Sequence, residues 1–449
     1  YKITMNINTN KLGNSSKVAV IGGGPAGSFF ALYLIHYANK NGIQPEITIY
    51  QNRNFDKLGP EGCKGCAGIL SPPLLRNLKE LNLFIPEQII QSKVETYAIH
   101  NPDISISVTN PDKYSEIFSI CRGGGPRISS YENAVSFDNW LLNQAQKRGV
   151  SVNTNEVSSI TLGDRPKVNV AGADMEYDLV VQATGINAKH ITVNGIEYVR
   201  PKTLKMSQGE LYVGTQQVES WLDKRVHVFL IPKSRVVFGT LVPKGPFINV
   251  SVLSNNKQTV SITDFLNYET VRNIIPEHYE RTCACKPKIS VGLAHNYYAD
   301  GYIAVGDSVV SRLYKDGIGS ALLTSRQAAY TAVRHGLSAK DFKHHYQPFC
   351  DSINSDNMFG RALFSINDYV KNSRVFLSTQ KRLVKREQNN KATKKHATKA
   401  AMGMFAGSYS YKEINKLILL GWLSPRGITS LIKSVFATLR HSLYSLIRK

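Results

Sequence analysis

The sequence predicts an α/β chain with a β-rich insertion and a basic, helical C-terminal extension, and three stretches carry that reading. "KVAVIGGGPAGSFFALYLIHYA" (17–38) runs as a buried strand, a tight glycine turn and a helix. Between about 195 and 290 the pattern changes to alternation, in "ELYVGT", "VHVFLIP", "RVVFGTLVP" and "INVSVL". Beyond about 320 the apolar residues recur at helical spacing, and Lys371–Lys449 holds seventeen Lys/Arg against only Glu387 and Glu413.

Taken in order, residues 1–16 are polar and Asn-rich and read as a loose tail, and the start at Tyr1 suggests a chain trimmed upstream. "EITIYQ" follows the first helix as a second strand and completes a βαβ unit. "SFDNWLLNQAQKRGVSVN" reads as helix then strand, "YDLVVQATG" as a buried strand ending in a turn, and "GYIAVGDSVV" as a return to α/β character. The division that follows is one discontinuous nucleotide-binding domain (17–190 with 291–335), a β-rich substrate domain (191–290, with 85–130 as a candidate addition) and a helical region (336–449). "KRLVKREQNNKATKKHATK" reads as a solvated basic helix or linker.

A chain of 449 residues buries a large core, so wholesale disorder is excluded. Six cysteines are too few for a disulfide scaffold and point to a reducing, cytoplasmic setting. The net charge of +22 suits an anionic partner. No recognised nucleic-acid motif accompanies it, which favours a membrane surface over nucleic acid. A membrane span needs roughly 20 apolar residues. "LILLGWL" is far too short for that, so the expected attachment is peripheral.

Gly22, Gly24 and Gly27 form G-x-G-x-x-G where it has physical meaning, after a strand and opening a helix. Gly22 permits the tight turn, Gly24 lets backbone approach a pyrophosphate, and Gly27, beside Ala26, lets helix and strand pack closely. The helix N-terminus adds free N–H groups and partial positive charge. Gln51 stands where an acidic residue usually ends the second strand, and its amide can bond a ribose without the charge. A second signal lies in "GYIAVGDSVVSRLYKDGIGSALL", where a strand ends at Gly306-Asp307 and a helix opens at Gly317, Ile318 and Gly319.

These motifs, with "DLVVQATG" ending at Gly185, resemble those of FAD-dependent oxidoreductases related to p-hydroxybenzoate hydroxylase. The resemblance implies FAD, with Asp307 on the ribityl chain and the 317–320 helix start facing the flavin pyrimidine edge. Within that superfamily the chain is most similar to the geranylgeranyl reductase family. "CAGILSP" (66–72) resembles its cysteine–glycine segment beside the flavin, which carries Cys66 over as the catalytic candidate. "KRVHVFLIP" echoes its P-x-x-Y-x-W-x-F-P motif, with Phe229 at the Trp position and Pro232 at the last Pro; His227, Ile231 and Lys224 depart from it. Cys63, His227 and Phe229 are the substrate-wall candidates.

Cys63 and Cys66 could join Cys283 and Cys285 as zinc thiolates, but "CAC" has one intervening residue where two or more are usual. They could form a redox-active disulfide, line the cavity beside the flavin, or simply pack; cavity wall is the favoured reading, and no metal is assigned. Arg122 and Arg127 in "CRGGGPR" can reach a phosphate or carboxylate, or sit on a plain surface loop. Lys315 either touches the cofactor or is solvated, and Lys244 is a weak candidate. At the C-terminus (427–449), Ile428, Leu431, Ile432, Val435, Phe436, Leu439, Leu443, Leu446 and Ile447 share one helical face flanked by basic residues. That is the pattern of a helix lying in a membrane interface, or of one packed on the protein's own core.

The expected activity is hydride transfer between flavin N5 and a C–C or C=C bond of a hydrophobic, isoprenoid-like lipid at an anionic membrane. NAD(P)H or an acidic electron carrier would be the reductant. A monooxygenase or halogenase, a quinone-linked dehydrogenase, and a non-catalytic flavin-stabilised scaffold are the rivals.

Overall fold

The computed structural model describes residues 11–62, 67–112, 115–126, 134–255, 258–390 and 394–447, with side chains to Arg440 at the C-terminal end. Two large sheets organise it. In the first, the strand Lys17–Ile21 lies between Glu46–Tyr50 and Leu179–Gln182, paired in parallel with both. Ser151–Asn153 extends one side and Tyr302–Ala304, then Tyr298–Ala299, the other, giving six strands. The apolar runs that read as buried strands are buried on both faces: Val18, Ala19, Val20, Leu179, Val180 and Val181 have no exposed surface. The helix Pro25–Lys40 packs along the helix Gly317–Arg334, and Ser325 Oγ donates to the Ala26 carbonyl at 2.7 Å. The two nucleotide signatures, nearly 300 residues apart in sequence, are thereby locked side by side.

The second sheet has eight strands. Its path runs Glu280–Cys285, Thr203–Tyr212, Phe247–Ser254, Val236–Lys244, Arg225–Phe229, Thr96–Asn101, Ile104–Thr109, and Lys288–Ser290 adds to Thr203–Tyr212. Strands from the 96–109 stretch thus complete a sheet built mostly from 203–290. Neighbours are antiparallel except Arg225–Phe229 against Thr96–Asn101, which are parallel. Cross-strand register sorts its side chains between two faces. One row runs Gln208, Ser251, Thr240, Val228, Ile99, and Tyr97 sits opposite Val226 on the same face. The other face carries Leu211, Ile248, Val250, Leu241 and Phe229 into a separate apolar core with Phe265.

That alternation corrects the substrate-wall assignment of His227 and Phe229. Phe229 is fully buried and meets the Phe265 ring edge-on at 5.7 Å. His227 Nδ1 lies 2.9 Å from His100 Nε2, with the rings stacked at 5.0 Å. On this strand the opposite-facing residues, Val226 and Val228, take the inner face, so the sequence echo has its aromatic on the wrong side.

The basic stretch is also less solvated than its composition suggests. In the helix Arg374–Asn389, Leu377, Leu383 and Val384 are buried, and the helix lies along Ile104–Thr109 at the sheet edge. Gln388 satisfies that edge by accepting from Thr109 N (2.7 Å) and donating to Ser107 O (3.0 Å). Buried Glu387 caps the next helix, accepting from Ala397 N, Thr398 N and Thr398 Oγ1. Gln388 thus ties the helix Arg374–Asn389 to the sheet edge, and Glu387 ties the next helix to it.

Burial pushes the His100 imidazole down to about 4 and that of His227 to about 3. An unfolded histidine titrates near about 6.5. Below that value the unfolded chain therefore binds more protons than the folded one, so stability is full above it and is lost as pH falls towards the folded values. The melting temperature should fall between pH 7 and pH 4.5, and His100→Gln should flatten that slope; thermal scans across pH check it, and an unchanged slope refutes the assignment.

Candidate functional site

Between the two sheets lies a cavity of about 900 Å³, near the upper end for small-molecule sites. Its polar end is the glycine turn. Gly22 has φ +105°, and a Cβ there would lie 2.7 Å from the Ala183 carbonyl oxygen. A Cβ at Gly27 would lie 1.9 Å from the Gly22 carbonyl oxygen, so nothing larger than glycine allows the helix this close to the strand. Gly24 differs: a Cβ there meets only Arg122 Nη2, at 3.8 Å. Its free side faces the cavity, where Ala26 at the helix N-terminus also lies. The Gln51 amide braces the turn, accepting from Gly23 N (2.8 Å) and donating to Arg53 O (2.9 Å). It lines the cavity with those bonds already made.

Arg122 stands over this turn. It holds the buried Asp138 carboxylate through Nε (3.0 Å) and Nη2 (2.7 Å), which aims the guanidinium into the cavity. Asp307 is reached by the same positive charge. Burial raises its carboxyl above the ordinary range, while a hydrogen bond with Ser311 and the charge of Arg122 act in the other direction. Gly306 (φ +63°) donates its N–H to Thr324 Oγ1, and a Cβ there would lie 2.7 Å from Ala26 Cβ. Gly185 (φ +67°) donates to Ser308 Oγ at 3.0 Å.

The second helix start is held by Asp316, in the left-handed conformation at φ +52°. Its carboxylate is ion-paired with Arg312 at 3.0 Å, and Cβ atoms at Gly319 and Gly407 would both strike it. Gly317 and Ile318 line the cavity, whereas Gly319 serves this packing. Lys315 is neither solvated nor free: it lies buried over the Tyr411 ring and donates to Gly403 O and Tyr409 O. Burial, then Arg312, holds its ammonium well below the usual lysine range. Lys244 is likewise committed, in a buried 2.6 Å ion pair with Glu210.

The opposite wall is the inner face of the eight-stranded sheet. Met206, Val226, Phe238 and Val242 supply apolar surface, with Phe405 from the helix His396–Ala406 closing over them. Gln208 and Ser251 break that surface, and Gln208 Nε2 donates to Ser251 Oγ at 2.9 Å. Cys63, Cys66 and Arg127 lie outside the described residues. Cys283 and Cys285 lie on an edge strand of the eight-stranded sheet, away from the cavity lining. Sequence reading missed Tyr97, Gln208 and Phe405, because their roles come from strand register and from a helix returning over the cavity.

No family model matches the chain, and no curated protein matches it. Solved structures do match across almost its whole length. A geranylgeranyl bacteriochlorophyll reductase-like protein from Thermoplasma acidophilum aligns with TM-score 0.61 at 16% identity, covering 90% of this chain and 98% of its own. A flavoprotein/dehydrogenase from Cytophaga hutchinsonii aligns at 0.58 and 14%, covering 90% and 99%. A flavin-dependent halogenase aligns at 0.57 and 15%, covering 90% and 77%. The fold is that of the Rossmann-type flavoproteins. The residues present fit a dinucleotide: an open Gly24 face and a helix N-terminus suit a pyrophosphate, and half-buried Asp307 on the cavity wall suits a polyol.

Gly24→Val and Gly27→Val should therefore separate. The first should fold and lose bound flavin, because its side chain enters the cavity. The second should lose more than about 3 kcal/mol of stability, because its side chain meets backbone. Absorbance of the purified variants at the flavin band, with circular dichroism, checks this; a Gly24→Val protein that keeps its flavin refutes the assignment.

Proposed function

We propose that the protein is an FAD-dependent oxidoreductase that exchanges hydride with a C–C or C=C bond of a hydrophobic, isoprenoid-like lipid drawn from a membrane surface. One observation carries this reading: a single cavity joins a dinucleotide-type turn to an apolar β-sheet wall. Bound FAD would supply hydride transfer at its N5. Gly22, Gly24, Ala26 and Arg122 would hold the pyrophosphate end, and Asp307 with the Gly317 helix start the ring end. The partial positive charge of that start favours an anionic reduced ring. Met206, Val226, Phe238, Val242 and Phe405 would align an apolar chain and exclude water. Similarity to a geranylgeranyl reductase-like protein supports the substrate class.

The membrane part rests on the helix Pro425–Ile447. It docks on Arg374–Asn389 with Ser430 and Ser434 buried and Arg386 donating to Thr429 Oγ1 and Ser430 Oγ, while Gly427 packs on the Gly421 and Trp422 carbonyls. Its apolar residues face outward instead: Ile428, Ile432, Val435, Phe436 and Leu439 are exposed, Phe436 by 67%. Leu419, Leu420 and Leu423 continue that surface, and Arg426, Lys433 and Arg440 are exposed with it. The helix thus packs by small polar residues and keeps its large apolar ones for a partner. An anionic bilayer matches both components, each basic residue near the surface contributing about 1 kcal/mol. Among the described residues no helix is long and apolar enough to cross a membrane.

Under nitrogen, dithionite-reduced holoprotein mixed with geranylgeraniol should reoxidise and yield a product carrying two more hydrogens. Reoxidation that waits for oxygen and yields an oxygenated product would identify a monooxygenase instead. Phe436→Glu with Leu439→Glu should leave folding unchanged, since exposed sites usually contribute within about 0.5 kcal/mol. The pair should abolish co-sedimentation with phosphatidylserine vesicles. Retained sedimentation, or a dimer lost in its place, refutes the membrane reading.

A further inference from the structure

Tyr97 is a polar side chain in the cavity wall that the reading above leaves unused. It is 1% exposed, and its hydroxyl has no hydrogen-bond partner among the described residues. Strand register puts it opposite Val226 on the inner face, and both residues line the cavity. Its ring stacks on Phe405, with centroids 6.2 Å apart and planes 18° from parallel, so the hydroxyl is held in one place. Burial, and then the charge of Asp316, raises its pKa, so it remains a neutral O–H throughout the physiological range. Asp316 caps the helix that begins at Gly317, which places Tyr97 at the ring end of the cavity.

A buried hydroxyl without a partner costs the fold about 1–3 kcal/mol, and phenylalanine would fill the same space without that cost. A phenol that stays protonated beside a carboxylate is a poor proton donor to carbon but a good hydrogen-bond donor to oxygen. We propose that Tyr97 donates its O–H to an acceptor oxygen on the substrate, making it a specificity-determining residue for an oxygen-bearing lipid over a pure hydrocarbon. The proposal rests on the lipid reading above and narrows it: the cavity takes an isoprenoid alcohol or carbonyl compound whose oxygen lies near the flavin ring. An oxygen anchored there also brings the bonds next to it to the hydride-transfer position, which singles out an unsaturated carbon close to the oxygen.

Tyr97→Phe tests this, read by calorimetric titration of the oxidised holoprotein in detergent with phytol and with phytane, its saturated hydrocarbon counterpart. Wild type should bind phytol more tightly than phytane. The variant should lose about 5- to 10-fold in phytol affinity, the worth of one hydrogen bond, and keep its phytane affinity. The lipid-free variant should melt no lower than wild type, since the hydroxyl makes no bond within the fold. A lower melting temperature with an unchanged phytol preference would make the hydroxyl structural and overturn the proposal. Wild type that binds phytol and phytane equally overturns it too, while leaving the lipid reading in place. Wild type that binds neither overturns both, and weaker FAD binding by the variant would then assign the hydroxyl to a flavin carbonyl.

Discussion

The approach of Gly27 to the Gly22 carbonyl is the constraint on which the rest of the molecule depends. A Cβ at Gly27 would sit 1.9 Å from that oxygen, so only glycine lets the first helix start directly beneath the first strand. Close packing there sets the helix axis, and the axis sets where Ala26 meets Gly306 and Ser325. Two motifs far apart in sequence are brought to one cavity by this helix packing, with Ser325 Oγ bonding the Ala26 carbonyl. Asp307 and the Gly317 helix start inherit their positions from it.

The opposing wall obeys a different rule. Each of the four central strands of the eight-stranded sheet divides its residues between the cavity and the Phe265 core, so one register decides which residues can touch a substrate. Gln208 and Ser251 face inward, and behind them Ser251 Oγ donates to Asn249 Oδ1 (2.9 Å) while Asn249 approaches Glu210 (3.4 Å). Glu210 is in turn paired with Lys244. A buried ion pair contributes little net stability, because desolvation offsets attraction. Its consequence is directional: ionised Glu210 only accepts, so Asn249, Ser251 and Gln208 each donate towards it, and the Gln208 amide is held in one orientation at the wall.

Much of this was legible in the sequence, for identifiable reasons. The glycine turn and the Gly306-Asp307 strand end are written in contiguous residues, so the α/β fold and the cavity's polar end could be read directly. His227 and Phe229 misled because a motif echo carries no register; one position of parity moved them to the far face. Tyr97 and Phe405 left no local signal, since a strand near residue 100 and a helix near residue 400 meet only in three dimensions. The C-terminal helix was half legible. Its apolar stripe was visible, but nothing in the spacing showed that the small residues Ser430 and Ser434 would be the buried ones.

The central claim is that one cavity holds a complete dinucleotide, with its pyrophosphate at Gly24 and its reactive ring beside the Gly317 helix start. Equilibrium binding of FAD and of FMN to the flavin-free protein tests it most directly. FMN carries the ring and polyol but neither the pyrophosphate nor the adenosine. The account predicts that FAD binds at least about 100-fold more tightly, the worth of one to two charge-assisted hydrogen bonds. Equal affinity for the two, or binding of neither, would contradict it.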